Sequence, residues 1–412
     1  MYTLYGDGIH DDTLALQDLI DNAGCELTLP APKKYYLISK PLSVPSHFSL
    51  VLPRFAEIRL APGSDCYMLT NKLVPNPDFD PAKNCIFWDF IYRYRSDCPA
   101  ENIEIRGGIW NFNNMEQSPN PLLQKDDPYA EYNGQAILFY NVKNLKVSDV
   151  TIKDPSSFGI SLDTVSYFTM ENITFDFNYG NPQCVCMDGI HVYGNCHHGF
   201  IHNLKGACRD DLVALNTDEG TPADITDITI DGIYAEECHS AVRLMAFLYN
   251  LKNVHITNVF GTYYQYCIAL TAGALDSTYE AVNWQCEGYF DGITIDNVYA
   301  SKAKRLPHLY PHQDSFVYPL IFVEPGMRVR NLAIRDIHRR EYNVVIDTIM
   351  VNNNAEIDYM VIDNVSTENY TGEPIPLFRN RGFIKTLHVS NLRTDGDECI
   401  VNECEIKNLI EG

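Results

Sequence analysis

The 412-residue chain carries 54 acidic against 31 basic side chains, a formal net charge of −23 with a pI near 4.8, and is 45% hydrophobic. That charge repels phosphate, which argues against nucleic acid and anionic membrane as partners and disfavours a strongly polyanionic substrate unless cations are gathered locally. The length exceeds what one compact core serves, and ample apolar content without a low-complexity tract points to a folded chain of several domains or a repeat growing in one dimension.

The first residues, Met1-Tyr2-Thr3-Leu4-Tyr5-Gly6-Asp7, lack the basic and apolar regions of a signal peptide, and no apolar run reaches the length of a membrane span. A chain starting at Met1 and staying in the cytoplasm is the expectation. Residues 11–24 read as one amphipathic helix, capped by Asp or Thr, with Leu16, Leu19 and Ile20 facing a core and Gly24 as its stop. It is expected to cover the first coil of a solenoid. Capping and a Gly6-Asp7-Gly8 turn account for Asp7, Asp11 and Asp12 without invoking chemistry.

From about residue 100 one phrase recurs: an Asn, Asp or Gly, then alternating apolar residues. Examples are Asn102-Ile103-Glu104-Ile105, Asn144-Leu145-Lys146-Val147, Asp227-Ile228-Thr229-Ile230, Asn253-Val254-His255-Ile256, Gly292-Ile293-Thr294-Ile295, Asn331-Leu332-Ala333-Ile334, Tyr359-Met360-Val361-Ile362 and Thr386-Leu387-His388-Val389. Weaker copies start at Tyr167 and Gly199. The copies lie roughly 23 to 42 residues apart, a range that signals stacked supersecondary units. Period-2 alternation makes each phrase a strand with one face inward, and no helical pattern separates the strands. Parallel packing must then come from coils stacked directly on one another, an all-β parallel β-helix, or solenoid, with an N-terminal capping helix. We expect one β-helix domain over 1–412, with cap and first coils at 1–60, central coils and groove loops at 61–395, and a C-terminal cap at 396–412.

Three irregular, proline-containing stretches, 75–84, 112–134 and 301–318, are expected to wall a groove. Aromatics in and beside them (Trp88, Phe90, Tyr92, Tyr94, Trp110, Phe112, Tyr129, Tyr132, Tyr310) suit stacking on sugar rings. The 13 cysteines are scattered without a CxxC, so neither a disulfide framework nor a zinc site is signalled, and buried free thiols are expected.

Three polar clusters interrupt the strands: Met187-Asp188-Gly189, Arg209-Asp210-Asp211 and Cys238-His239-Ser240. Stacked coils can bring them to one trough. Inverting glycoside hydrolysis needs a protonated carboxyl at the leaving oxygen and an ionised one holding water, set roughly 6.5 to 9.5 Å apart. Adjacent like charges at Asp210-Asp211 oppose joint ionisation, which suits an acid beside a base. Ile190 and Val192 read as inward, turning His191 and Tyr193 to solvent. Val242 and Leu244 likewise leave His239, Ala241 and Arg243 on an outer face.

These clusters resemble the motifs of glycoside hydrolase family 28, the polygalacturonases, single-stranded right-handed parallel β-helices of the pectin-lyase-like superfamily. The opening Gly6-Asp7-Gly8-Ile9-His10-Asp11-Asp12 is similar to the superfamily's N-terminal signature. Met187-Asp188-Gly189 is similar to the family's Asn-Thr-Asp-Gly, Asp210-Asp211 to Gly-Asp-Asp, and Cys238-His239-Ser240 to Gly-His-Gly. The resemblance implies that Asp210 is the general acid, that Asp188 and Asp211 hold the attacking water, and that His239 orients the acid. The chain departs from the family in Cys186-Met187 before the first Asp and in both residues beside the histidine. The cations of the family's Arg-Ile-Lys would fall at Ile268-Ala269-Leu270, where there are none, so a sugar other than galacturonate is expected there.

Arg243, His191, Arg209 and Tyr264 are the expected substrate-binding side chains. The expected function is an inverting, exo-acting hydrolase of pectin-type or related plant oligosaccharides, with no cofactor and no metal. The alternatives are a polysaccharide lyase, which needs a Lys or Arg base and usually Ca²⁺ to neutralise a uronate, and a non-catalytic carbohydrate-binding solenoid such as a tailspike-like adhesin. Oligomeric state is not legible in the sequence.

Overall fold

A computed structural model describes residues 2–80, 90–119, 135–177, 180–184, 186–272, 286–304, 318–395 and 398–412. The chain is a right-handed parallel β-helix. It divides into two units, Met1–Phe200 with Leu204–Asp210 and Glu219–Thr221, and Ile201–Asn203 with Asp211–Asp218 and Pro222–Gly412.

In the first unit each coil contributes strands to three walls. One wall runs through Glu26–Thr28, Phe48–Val51, Ala100–Arg106, Ile137–Ser148 and Ile160–Glu171. Its inward residues align as Phe48, Ile103, Leu145 and Phe168, and again as Leu50, Ile105, Val147 and Met170. These side chains are at most 2% exposed, so the period-2 phrase of the sequence is the stacking unit itself. A second wall stacks Tyr36–Ile38, Glu57–Leu60, Ile109–Asn111, Thr151–Lys153 and Thr174–Asp176. The third stacks Leu42–Val44, Leu69–Asn71 and the starts of the strands Ile137–Ser148 and Ile160–Glu171, followed by Ile190–Val192.

The polar residue opening each phrase makes the corner. Asn102 and Asn144 adopt φ of 58° and 62°, the left-handed region that Asn tolerates better than most side chains. The Asn144 side-chain amide donates to Asn102 Oδ1 at 2.7 Å, tying successive corners together.

The second unit repeats the design with longer columns. Val254, Ile293, Leu332, Met360 and Leu387 form one inward stack, and Ile256, Ile295, Ile334, Ile362 and Val389 another. Asn253 donates to Asp227 and Asn258 to Asp231 at the corners. Strands Ile400–Asn402 and Ile406–Glu411 extend the ladders to the end of the chain. One inward charge network interrupts the apolar filling: Arg339 and Glu341 pair with fully buried side chains at 2.8 Å. Lys302 Nζ donates to the carbonyls of Gln265 and Tyr318, and burial pushes its pKa down to about 7.

The N-terminal helix spans Thr13–Asn22 and packs on the strand Leu42–Val44, with Gln17 exchanging hydrogen bonds with the Ser43 backbone as a further strand would. It covers the first coil as expected, with three differences in detail. Ala15, Leu16 and Ile20 are buried whereas Leu19 is exposed. The first helical N–H, on Thr13, is met by Asp11, because Asp12 instead accepts the backbone N–H groups of Tyr5 and Gly6. The chain leaves the helix through an extended Ala23, so Gly24 supplies no left-handed stop.

Several aromatics expected in the groove belong to the core. Phe90, Trp110 and Phe112 are fully buried, while Tyr92 is exposed; Trp88, Tyr129, Tyr132 and Tyr310 lie outside the described residues. Twelve cysteines among the described residues are free, six of them buried. Among the described residues no helix is long and apolar enough to cross a membrane.

The stacking makes a direct prediction. Ile295→Ala, in the middle of an inward column, should cost about 2–5 kcal/mol of stability, and Thr294→Ala on the opposite face under about 1 kcal/mol. Denaturant midpoints check this, and similar midpoints for the two variants would contradict the inward assignment.

Candidate functional site

In the first unit, Ile190–Val192 pairs with the coil before it as Ile160↔Ile190, Ser161↔His191 and Leu162↔Val192. Ile190 and Val192 point inward as alternation requires. His191 and Tyr193 do not reach solvent, contrary to expectation: they are 3% and 0% exposed. A layer of Phe90, Leu138, Tyr140 and Phe158 packs with Tyr193 on the outer side of this wall, and alternation cannot reveal a wall covered on both faces.

The His191 ring lies flat on Phe158, centroids 4.0 Å apart and planes 7° from parallel. Its Nδ1–H donates to Asp188 Oδ2 at 2.6 Å, and its Nε2 stands 3.2 Å from Glu219 Oε2. Burial opposes charge on the ring, but the hydrogen bonds and charges of Asp188 and Glu219 outweigh it and lift the pKa to about 9. His191 is therefore an imidazolium at neutral pH, clamped between two carboxylates.

Glu219 reaches the histidine because the segment Glu219–Thr221 is fastened to the wall. Asp163, fully buried, accepts the Thr221 N–H at 2.7 Å and the Thr164 hydroxyl at 2.9 Å. Gly220 adopts φ +63°, and a Cβ there would lie 2.3 Å from Asp163 Oδ2 and 2.7 Å from the Tyr193 ring, so only glycine fits. Burial pushes the Asp163 carboxyl up to about 6, against the donors from Thr221 and Thr164.

Arg209, expected at the substrate, is 2% exposed and turned into the scaffold. It donates to the carbonyl of Asn181 at 2.7 Å and of Gly180 at 3.4 Å, holding the chain that leads toward Asp188. Asp210, next in sequence, is half-buried.

In the second unit Asp211 opens the strand Asp211–Asn216, aligned as Asp211↔Ser240, Val213↔Val242 and Ala214↔Arg243. Asp211 Oδ1 accepts the Tyr266 hydroxyl at 3.0 Å, and Oδ2 lies 3.8 Å from the Arg243 guanidinium. Arg243 is flanked in register by Ala214 and Ala269, whose small side chains leave room for it. Its Nε–H donates to Thr271 Oγ1 at 3.1 Å. Tyr266 is braced edge-to-face on Tyr318 at 5.9 Å.

His239 is 1% exposed, with Nδ1 3.0 Å from Ser240 Oγ and its ring 6.2 Å from that of Tyr264, itself 5% exposed. The expected outer face of His239, Ala241 and Arg243 is covered rather than open to solvent, and a His239 ring nitrogen lies within 4.8 Å of an Asp211 carboxylate oxygen. Register against the next strand shifts between Ala235 and Cys238 and again between Cys238 and Ser240, and such a bulge re-aims the side chains it contains. Ala241 is fully buried, and Arg243 keeps partial access to solvent.

Sequence reasoning missed Glu219, Asp163 and Tyr266. Glu219 and Asp163 meet only through the tertiary fastening of a turn. Tyr266 carried a faint signal, two positions before inward Ile268 on a strand aligned with the Asp211 strand's neighbour.

No family model matches the chain, and curated proteins hold no match. Among solved structures it is similar to the family 28 exopolygalacturonase of Yersinia enterocolitica, at 13% identity and TM-score 0.59 over 99% of this chain and 76% of that one. It is also similar to the endo-xylogalacturonan hydrolase of Aspergillus tubingensis, at 12% identity and TM-score 0.57 over 100% and 98%. PfbA, a surface adhesin of Streptococcus pneumoniae, matches at 14% identity and TM-score 0.58 over 100% and 90%. At these identities the likeness establishes the fold, a β-helix common to hydrolases and an adhesin.

Asp163 supplies a pH test. Its carboxyl titrates near 3.8 when exposed and near 6 in the fold, so its neutral form stabilises the protein below about pH 4, and this contribution is lost as pH rises through about 6. The loss amounts to about 3 kcal/mol. Asp163→Asn should remove that part of the decline, so that its stability relative to wild type rises between pH 4 and 7 in denaturant titrations. Parallel pH profiles would show that folding does not raise the Asp163 pKa.

Proposed function

We propose that this protein is an inverting glycoside hydrolase of the family 28 type, acting on pectin-type or related plant cell-wall oligosaccharides in the exo mode. The observation that carries the reading is that carboxylates singled out in the sequence are held by dedicated donors, Asp188 by His191 and Asp211 by Tyr266, with the Arg243 guanidinium 3.8 Å from Asp211 as a neighbouring charge. A shared fold with two pectin-directed hydrolases supports it. On this reading Asp210 protonates the leaving oxygen as the C1–O bond breaks. Asp188 and Asp211 orient a water and take its proton as it attacks from the opposite face, and the anomeric configuration inverts. His239 orients the acid, and Tyr264 borders the substrate.

Specificity departs from galacturonate. Ile268, Ala269 and Leu270 are fully buried and apolar where the family's cations would stand, and Arg243 in the adjacent register position is directed to Asp211 and Thr271. Free cysteines throughout the described residues suit a reducing compartment, which favours short imported substrates over polymers.

A second reading, a non-catalytic carbohydrate-binding β-helix, is favoured by the burial of Asp188, Asp211 and His239 and by the likeness to an adhesin. One experiment separates the two. Defined plant oligosaccharides are incubated with the protein and the first-formed anomer is read by NMR. Inverted product, with kcat falling about 10³-fold in a folded Asp210→Asn variant, is expected. Binding without turnover, unchanged by Asp210→Asn, would establish the binder; an unsaturated, Ca²⁺-dependent product would establish a lyase. Because Asp188 and Asp211 are buried and bonded, their Asn variants should also lose stability, so Asp210→Asn is the cleaner probe.

A further inference from the structure

We propose that His191 and Glu219 are positioning residues that fix the orientation of Asp188, so that this carboxylate presents one defined oxygen to the attacking water. The proposal rests on the hydrolase reading and adds to it a role for Glu219, a residue that no motif marks.

The geometry is that of a three-part clamp within the first unit. One oxygen of Asp188 accepts the His191 Nδ1–H at 2.6 Å, so rotation of the carboxylate about its own bond is arrested and the second oxygen has a set direction. The imidazole in turn has no freedom to follow Asp188 if it moves. Phe158 lies against one face at 4.0 Å, the Tyr193 ring stands at 4.3 Å, and Nε2 lies 3.2 Å from the Glu219 carboxylate as an ion pair. Tyr193 is itself fixed, its hydroxyl accepting the Gln135 amide at 2.8 Å. Glu219 is delivered by Gly220, which only fits against Asp163 and Tyr193 in a left-handed conformation, and by the Thr221 N–H on Asp163.

The clamp is built of charges where an apolar packing would serve stability as well. Burying a carboxylate, an imidazolium and a second carboxylate carries a desolvation cost that ion pairing at best offsets. Its yield is orientation, the property that a water-activating carboxylate needs and that supporting hydrogen bonds supply in hydrolytic sites. The ionisable groups facing His191 are Asp188, Glu219 and Tyr193. Asp163 lies behind Gly220, and Cys186 and Asp210 stand beside the carboxylates. With two carboxylates against it, the imidazolium persists through neutral pH. It releases its proton only in alkali, and the attraction of Asp188 and Glu219 for a charged ring is then lost.

The test uses the full chain and two readouts. By NMR, the His191 ring should titrate near 9 in wild type, and Glu219→Gln, which keeps the shape but removes one carboxylate, should move that titration down by about one unit. In turnover of whichever oligosaccharide the wild type cleaves, Glu219→Gln should lower kcat about 10- to 100-fold with KM little changed, the size seen when a ligand's supporting partner is removed. The alkaline limb of its kcat profile should shift down by the same step as the ring. His191→Asn, which retains a donor for Asp188 but cannot titrate, should abolish that limb while keeping more activity than Asp188→Asn. A ring that titrates near 6.5, or a Glu219→Gln variant with wild-type kcat, overturns the positioning role while leaving the hydrolase reading intact. A wild-type protein that cleaves nothing overturns the hydrolase reading, and the positioning role with it.

Discussion

Each coil is held by its inward residues meeting those of the coils above and below, as in the column Ile256, Ile295, Ile334 and Ile362. A one-residue slip in any strand would turn its apolar set outward, so register is strongly specified wherever the interior is filled this way. The consequence reaches the candidate site without any special local stability. Once Val213 is aligned with Val242 and Ile268, the neighbouring positions place Arg243 between Ala214 and Ala269 and bring Ser240 beside Asp211. The core thus fixes the side chains that face away from it.

What lies on the far side of the wall is less ordinary. A wall open to solvent would leave its outward residues wet, but here they are covered. Phe90, Tyr140, Phe158 and Tyr193 do this in the first unit, and Tyr266, Tyr318, Phe322 and Met350 in the second. Polar groups under such cover are costly unless partnered, and the carboxylates here have partners: Asp188 the His191 ring, Asp163 Thr164 and Thr221, Asp211 a phenol. Burial also turns these groups into rigid ones. A carboxylate held by a stacked imidazolium loses the rotational freedom that a surface aspartate keeps.

The coils were legible because their signal is local and repeated. Each phrase, such as Asn253-Val254-His255-Ile256, states its inward face within four residues, and its repetition along the chain excludes chance. The helix was legible for the same reason, though Leu19 shows that the burial of a helix depends on the floor beneath it as well as on its own period. The clusters Asp188, Asp210-Asp211 and His239 were legible as interruptions of that repeat. Their surroundings were not. The exposure of His191 and His239 was inferred from alternation, which assumes an uncovered wall and an unbroken ladder. Phe158 and Tyr193 violate the first assumption and the bulge at Cys238 the second. Glu219 was invisible because its partner lies 28 residues away and the link is a turn.

The β-helix does not by itself say what is bound, since solved structures of this fold include hydrolases and an adhesin. A chain at −23 needs concentrated cations to draw a uronate polymer. The two arginines of the clusters are instead turned to internal partners, Arg209 to the carbonyls of Gly180 and Asn181, Arg243 to Asp211 and Thr271. Drawing Arg209 to a substrate carboxylate would leave buried backbone carbonyls unmet, at about 1–3 kcal/mol each. On the proposed hydrolase reading, that arrangement suits a neutral sugar beside ordered carboxylates better than a uronate.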